Sequence, residues 1–241
     1  MTYFRFHWIF NVPLLLVLIL AGWRGTWTEG TALAILWVVL AAVVFTTPWD
    51  NVAARWGIWG FPCNKYTLRL GYLPVEEYLF FVLQSLNVMF GVRALLHLFP
   101  LFRHPLFFHF SIITGICVVI SIPAWIVLGF ELRRQQRGKS PNLRYALHLV
   151  WFLPVLYLQW ILAPLLLSMH LGLLAIMACG FGLYYTLADL VAVRAGLWFF
   201  DEKQITGHKI AGLPWEEIAF FFLTSLLVAQ SFLLLLPDDQ R

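Results

Sequence analysis

Two pairs of adjacent glutamates are the residues of this sequence best suited to acid–base chemistry. The segment LPVEE at 73–77 is repeated as LPWEE at 213–217, and each copy opens a long apolar run. The chain has only 12 Asp and Glu residues among 241, and an ionised carboxylate beside hydrocarbon is costly. The pairs therefore predict a functional use of carboxyl groups in an apolar setting.

The spacing of each pair predicts different surroundings for its two members. Successive helix positions point about 100° apart, so one carboxyl of Glu76-Glu77 and one of Glu216-Glu217 can face a cavity while its neighbour bonds loop backbone or an arginine. A helix N-terminus and a nearby arginine favour the charged carboxylate, whereas burial disfavours it. We expect burial to prevail, which gives a Brønsted acid at neutral pH. The alternative is that the pairs only start helices at a membrane surface.

Aromatic residues crowd both acid pairs. Trp59 and Trp198 are repeated with the motifs, and so are the phenylalanines Phe80, Phe81, Phe220 and Phe221. Ring faces stabilise cations, so we expect these side chains to bind substrate and to stabilise a developing carbocation. The alternative interpretation is an interfacial aromatic belt with lipid-facing rings.

The acid pairs belong to a longer internal duplication. Residues 50–61 and 189–200 share the frame D-x-V-A-x-R-x-G-x-W-x-F without gaps, and His7 and Pro13 correspond weakly to His148 and Pro154. The repeated polar residues predict a supporting role at the loop, in which Asp50 bonds Arg55 and Asp189 bonds Arg194. The alternative is that the two aspartates are solvated charges at helix ends. Asn51 has Leu190 as its counterpart, so a role for its amide would be confined to the first repeat.

Composition identifies an integral membrane protein. The sequence is 61% hydrophobic, 17% aromatic and 12% charged, with a mean hydropathy of +0.82, whereas about 25% charged residues is usual in soluble domains. Segments of roughly 20 apolar residues can each cross a bilayer. Such segments are read at 8–23, 31–48, 74–99, 106–130, 145–164, 165–188 and 214–236. Only Ala163-Pro164 separates the fifth from the sixth, which requires a tight hairpin; without it the count is six.

The predicted fold class is therefore an all-α membrane protein of about seven transmembrane helices. Two parallel three-helix repeats, at 1–100 and 145–241, are joined by a linking helix and a basic loop at 101–144. With a fourth span between them, the two repeats have the same orientation in the membrane, so both acid pairs lie on one side. Lysine and arginine concentrate on that side, so the positive-inside rule makes the N-terminus and both motifs cytoplasmic in an inner or plasma membrane.

Several other classes of function lack their motifs. The sequence has no G-x-G-x-x-G, no phosphate-binding loop, no G-x-S-x-G and no Asp-x-x-x-Asp for a magnesium-bound diphosphate. Its three cysteines lie far apart, and no paired histidines have ligand spacing. We expect no metal site and no nucleic-acid partner.

The chain contains the Pro-x-Glu-Glu motif twice, and in this it resembles the integral-membrane carotenoid cyclases of the lycopene cyclase domain family. It is similar to the form in which two small subunits are fused into one chain. The resemblance covers nearly the whole chain and implies cofactor-free, redox-neutral cyclisation of a carotenoid such as lycopene. It implies catalytic roles for Glu76, Glu77, Glu216 and Glu217. Membrane lipid and other enzymes of carotenoid synthesis are the expected partners.

The sequence is compatible with several functions. β-Cyclisation of lycopene is the default, and cyclases of C50 carotenoids or ε-rings share the motif. A carotenoid hydratase would also protonate an alkene but would capture the cation with water. A proton-coupled transporter built from a parallel repeat is the non-enzymatic alternative.

Overall fold

The computed structural model describes residues 1–23, 27–103 and 144–241, and it is mostly helical. Its described part holds six helices that are long and apolar enough to cross a membrane. They are α1 (Tyr3–Gly22), α2 (Glu29–Arg55), α3 (Val75–Leu98), α4 (Arg144–Leu162), α6 (Leu171–Arg194) and α7 (Trp215–Leu235). A short helix, α5 (Pro164–Met169), lies between α4 and α6. The fold class predicted from composition is confirmed.

The predicted boundary between the fifth and sixth spans was wrong. The helical path breaks at Ala163, as expected, but Pro164 then begins the short helix α5 rather than a membrane span. The sixth span starts at Leu171 and continues to Arg194, well beyond the predicted end at 188. The predicted span at 106–130 lies outside the described residues, as does the basic linker as far as residue 143.

The duplication seen in the sequence is also present in the structure. Helices α1, α2 and α3 correspond to α4, α6 and α7, and each repeat has a short hairpin before its last helix. Strand β2 (Arg69–Leu70) pairs with β3 (Leu73–Pro74) in the same register as β5 (Lys209–Ile210) pairs with β6 (Leu213–Pro214). Thus each glutamate pair occupies the first turn of a helix that leaves a hairpin.

A third strand pair joins the repeats. Strand β1 (Trp59–Gly60) is antiparallel to β4 (Phe199–Phe200), and Gly60 lies opposite Phe199. These two residues are counterparts in the duplicated motif, so a local twofold axis passes between them. The phenyl ring of Phe199 occupies the space over Gly60, where an added Cβ would lie 2.6 Å from the ring.

The loop between α2 and α3 and the loop between α6 and α7 lie at the same end of the helix bundle, as parallel repeats require. The backbone N–H of Tyr3 donates to the carbonyl of Lys65 (2.7 Å), and that of Tyr145 donates to the carbonyl of Gln204 (3.0 Å). The starts of α1 and α4 are therefore attached to the loops of their own repeats. At the opposite end of the bundle, the Thr31 hydroxyl donates to Gln240 Oε1 (3.2 Å).

The buried side chains form two clusters that differ in character. The cluster beneath the loops is mostly aromatic, whereas the cluster toward the other end is mostly aliphatic, with Val88, Met89, Leu173 and Leu233 among its members. Rings and carboxyl groups are thus concentrated at the loop end of the bundle.

Replacing Gly57 by alanine should lower the free energy of unfolding by about 1 kcal/mol. Gly57 has φ of +72° and open space where a Cβ would stand, so the cost comes from backbone conformation alone. Gly180→Ala is the matched control, because Gly180 lies inside α6 with equally open space, and alanine is favoured over glycine in a helix. Thermal denaturation in detergent measures both; a Gly57→Ala protein as stable as the wild type would contradict the assigned turn.

Candidate active site

A cavity beneath the two loops brings the acids of both repeats together. Four carboxyl groups line it, those of Asp50, Glu77, Asp189 and Glu217. The rest of the lining is aromatic, and consists of Tyr3, Phe6, Trp49, Trp59, Phe61, Phe80, Tyr145, Tyr185, Trp198, Phe200, Phe220 and Phe221. The acids from one repeat therefore face those from the other within a single chamber.

The cavity glutamate of each repeat is hydrogen-bonded to a buried tyrosine. The Tyr3 hydroxyl donates to Glu77 Oε2 (2.7 Å), and the Tyr145 hydroxyl donates to Glu217 Oε2. Both tyrosines are only 1% exposed. A buried carboxyl group needs such a donor, since an unpaired one would be costly at this depth.

The two aspartates are paired with the repeated tryptophans. Trp59 Nε1–H donates to Asp50 Oδ1 (2.9 Å), and Trp198 Nε1–H donates to Asp189 Oδ1 (2.7 Å). The predicted pairing of these aspartates with Arg55 and Arg194 was therefore wrong. Both arginines are exposed, whereas the aspartates are buried in an aromatic cluster where the indole N–H is the nearby donor. Trp59 and Trp198 thus hold the carboxyl groups as well as presenting rings to the cavity.

Glu76 and Glu216 are buried but turn away from the cavity. Glu76 Oε1 accepts hydrogen bonds from the backbone N–H (2.8 Å) and the hydroxyl (2.7 Å) of Thr67. In the second repeat, Glu216 Oε1 accepts from the N–H of Thr206 (2.7 Å). This is the division that the 100° helix step predicts, with one acid of each pair inward and the other on the loop. The outer acids fix the loops above the cavity.

Asn51 supports the hairpin of the first repeat and lies outside the cavity. Its Nδ2 donates to the carbonyl of Thr47 (2.9 Å) and to the Tyr78 hydroxyl (3.0 Å), while its Oδ1 accepts from the N–H of Tyr72 (2.9 Å). All three contacts are local to α2 and the adjoining hairpin. The amide therefore stabilises the backbone over the site.

The aromatic lining is symmetric around the two tyrosines. Tyr3 stacks on Phe61 of its own repeat and contacts Trp198 of the other. Tyr145 has the equivalent neighbours, Phe200 and Trp59. Phe80, Phe220 and Phe221 complete the walls. Five of the six predicted aromatic residues thus line the cavity, and the sixth, Phe81, lines a separate space deeper in the bundle.

The side chains below the carboxyl groups break the twofold symmetry between the two halves of the bundle, one of which contains α6 and the other α2. In one half, the Tyr185 hydroxyl accepts from Asn87 Nδ2 (2.8 Å) and donates to Asn11 Oδ1 (3.1 Å). Asn11 also bonds His7, whose Nε2 contacts the Glu76 carbonyl (2.9 Å). The counterparts of Asn11 and Asn87 are Phe152 and Leu227, so the two halves differ in polarity.

Tyr3 and Tyr145 were not predicted from the sequence. Aligning His7 with His148 sets Tyr3 opposite Arg144, one position away from Tyr145. The helix α1 contains a π-helical stretch at His7–Asn11, which absorbs an additional residue and brings Tyr3 into the position that Tyr145 occupies in α4. A tyrosine near the start of the first helix of each repeat was the available signal.

These features define an all-helical membrane protein with an acid-lined aromatic chamber between two repeats. The chain belongs to the lycopene cyclase family, because the family model described as "Lycopene cyclase" matches residues 4–95 and 142–235. Each matched segment contains one three-helix repeat with its acid pair. The chain is therefore an enzyme of carotenoid cyclisation.

Curated relatives are consistent with this membership. A lycopene beta-cyclase of Halobacterium salinarum is 28% identical over 222 residues, which cover 89% of this chain and 86% of the relative. Bifunctional lycopene cyclase/phytoene synthases are also similar. The protein of Sporisorium reilianum is 27% identical, and the match covers 96% of this chain and 34% of the relative. The protein of Phaeosphaeria nodorum is 28% identical, and the match covers 92% of this chain and 39% of the relative. No solved structure gives a significant match.

Replacing Glu76 by alanine should destabilise the protein by about 0.5–1.5 kcal/mol, because the part-buried hydrogen bonds from the Thr67 N–H and hydroxyl would be lost. Glu76→Gln keeps an oxygen in place and should cost less. Glu216→Ala and Glu216→Gln test the same contact at Thr206 in the second repeat. Thermal denaturation in detergent measures the stability of each variant. Equal stability of the alanine and glutamine variants would contradict a stabilising role for the hydrogen bonds from Thr67 and Thr206.

Proposed function

We propose that this protein is a lycopene β-cyclase that converts acyclic carotenoid ends to β-rings by acid catalysis. The observation that carries the proposal is the pair of tyrosine-bonded glutamates, Glu77 and Glu217, inside one aromatic chamber. The family supports a carotenoid substrate, and the beta-cyclase named among the relatives supports the ring type. The chemistry requires an acid, a base and cation-stabilising walls.

The reaction begins with proton transfer from a cavity glutamate to the terminal double bond of the substrate. The proton adds to the less substituted carbon and leaves a tertiary cation. The neighbouring alkene supplies its electron pair to that cation and closes a six-membered ring, which moves the positive charge to a ring carbon. A carboxylate of the chamber then removes a ring proton, and that electron pair forms the ring double bond. No electron is gained or lost, so the step is an isomerisation.

The walls of the chamber suit each stage of this reaction. Ring faces of Trp59, Trp198, Phe80 and Phe220 surround the space in which the cation develops, and cation–π attraction is strongest in desolvated sites. Tyr3 and Tyr145 hold the glutamates in fixed orientations and stabilise the carboxylate that remains after proton transfer. The exclusion of water from an apolar chamber favours loss of a proton over hydration of the cation.

The substrate reaches the chamber from the membrane. Six helices of the described chain are long and apolar enough to span a bilayer, and the chamber lies near the bundle end that carries both loops. The charge pattern supports a cytoplasmic position for these loops in an inner or plasma membrane. One end of a long hydrophobic substrate can therefore enter while its remainder stays at bilayer depth.

Expression in cells that accumulate lycopene should yield β-carotene, with one-ringed γ-carotene as the intermediate. Chromatography with mass detection measures the outcome, because cyclisation leaves the mass unchanged and hydration adds one water. Products with ε-rings would overturn the assigned ring type. Lycopene left unconverted by a correctly inserted protein would overturn the proposal, and conversion only of C50 carotenoids would assign a different substrate.

Glu77→Gln and Glu217→Gln should each lower turnover, roughly 100-fold or more where the glutamate is the proton donor. The glutamine carbonyl still accepts the tyrosine hydroxyl, so the chamber should keep its structure. Glu202→Gln is the matched control, because Glu202 is an exposed acid of the second loop, paired with Lys209. Full activity of both cavity variants, measured at equal amounts of inserted protein, would exclude these glutamates as the acid.

A further inference from the structure

A second cavity lies deeper in the bundle, between α2, α3, α4 and α7. Its lining is mainly apolar, and small side chains of α2, among them Ala41, Ala42 and Thr46, form one wall. Ala41 is exposed on the outer surface of the bundle, so this cavity reaches the hydrocarbon that surrounds membrane-spanning helices. None of the acids assigned to catalysis lines it.

The internal duplication shows that this space is specific to one half of the protein. In the duplicated alignment, Ala42 and Thr46 of α2 correspond to Phe181 and Tyr185 of α6. There the large side chains close the equivalent space. The ring of Phe181 lies over Gly91, where an added Cβ would be 2.6 Å from its Cε2, and the Met177 methyl group lies 2.9 Å away. The counterparts of Gly91 and Met177 are Ser231 and Val38, both in the lining of the open cavity.

The deeper cavity adjoins the reaction chamber. Phe220 lines both spaces, so its ring forms part of the boundary between them, and Phe81 lines the deeper cavity. Three polar side chains of the deeper cavity, Gln84, Thr224 and Ser231, already have protein partners. Gln84 Nε2 donates to Thr224 Oγ1 (3.0 Å), and Gln159 Nε2 donates to Ser231 Oγ (2.7 Å). The deeper cavity therefore suits a hydrocarbon chain rather than a polar ligand.

We propose that the deeper cavity is the binding site for the conjugated chain of the substrate, next to the end that reacts. This inference rests on the proposed function. The substrate enters between α2 and α4, passes Phe81 and Phe220, and places its end beneath the carboxyl groups. Because the equivalent space in the other half is filled, the chain approaches from one side only. The two ends of a symmetric substrate then react in succession through the same entry.

Filling the cavity from α2 tests this path. Ala42→Phe and Thr46→Tyr introduce the side chains that stand at the equivalent positions of α6, and each should reduce lycopene conversion roughly tenfold or more by displacing the chain. Val44→Phe is the matched control, because Val44 lies on the same helix but is 71% exposed toward lipid. Conversion by Ala42→Phe and Thr46→Tyr at the wild-type rate would overturn the inference.

A second measurement covers variants that fail to fold. Ala42→Cys, in a protein whose Cys63, Cys117 and Cys179 are serine, is inserted with a small side chain and then alkylated with a bulky apolar maleimide. Conversion should fall on alkylation, and lycopene added beforehand should slow the labelling; Val44→Cys should show neither effect. Alkylated Ala42→Cys protein of full activity would contradict the path. A wild-type protein that leaves lycopene unchanged would instead overturn the proposed function.

Discussion

Carboxyl groups buried within a membrane-spanning helix bundle must each have a hydrogen-bond donor, and this requirement organises the structure. Glu77 and Glu217 are satisfied by tyrosine hydroxyls, and Asp50 and Asp189 by tryptophan N–H groups. All four donors are aromatic, so the groups that satisfy the acids also form the walls of an apolar chamber. The loops follow from the same need, since Thr67 and Thr206 hold the outer acids.

Duplication provides the second acid set, and divergence makes the two halves of the bundle differ below the chamber. The halves share their carboxyl groups, their tyrosines and the aromatic neighbours of those tyrosines. They differ below the chamber, where one half has a hydrogen-bonded network around Tyr185 and the other has an open apolar cavity beside Ala42. A polar, filled half and an apolar, open half can hold one substrate in a single orientation. In the proposed mechanism, both repeats contribute to one active unit.

Much of this architecture could be predicted from the sequence. The duplicated motif located both acid pairs at helix starts, and the 100° helix step separated an inward acid from an outward one in each pair. The partners of the acids could not be predicted as readily. Asp50 lies five residues from Arg55 and nine from Trp59, and burial in an aromatic cluster favours the indole although the arginine is closer in sequence. The tyrosines were hidden because a π-helical stretch shifts their register by one residue. The α5 helix was missed because Pro164 reads equally well as the start of a span.

Isotope incorporation tests whether a proton passes from the chamber to the carbon skeleton of the substrate. Membranes containing the protein would be incubated with preformed lycopene in heavy water, and the purified β-carotene examined by mass spectrometry. One solvent-derived deuterium is expected in each new ring, because the proton gained at the terminal double bond and the proton lost from the ring occupy different carbons. β-Carotene formed without deuterium would contradict this proton transfer.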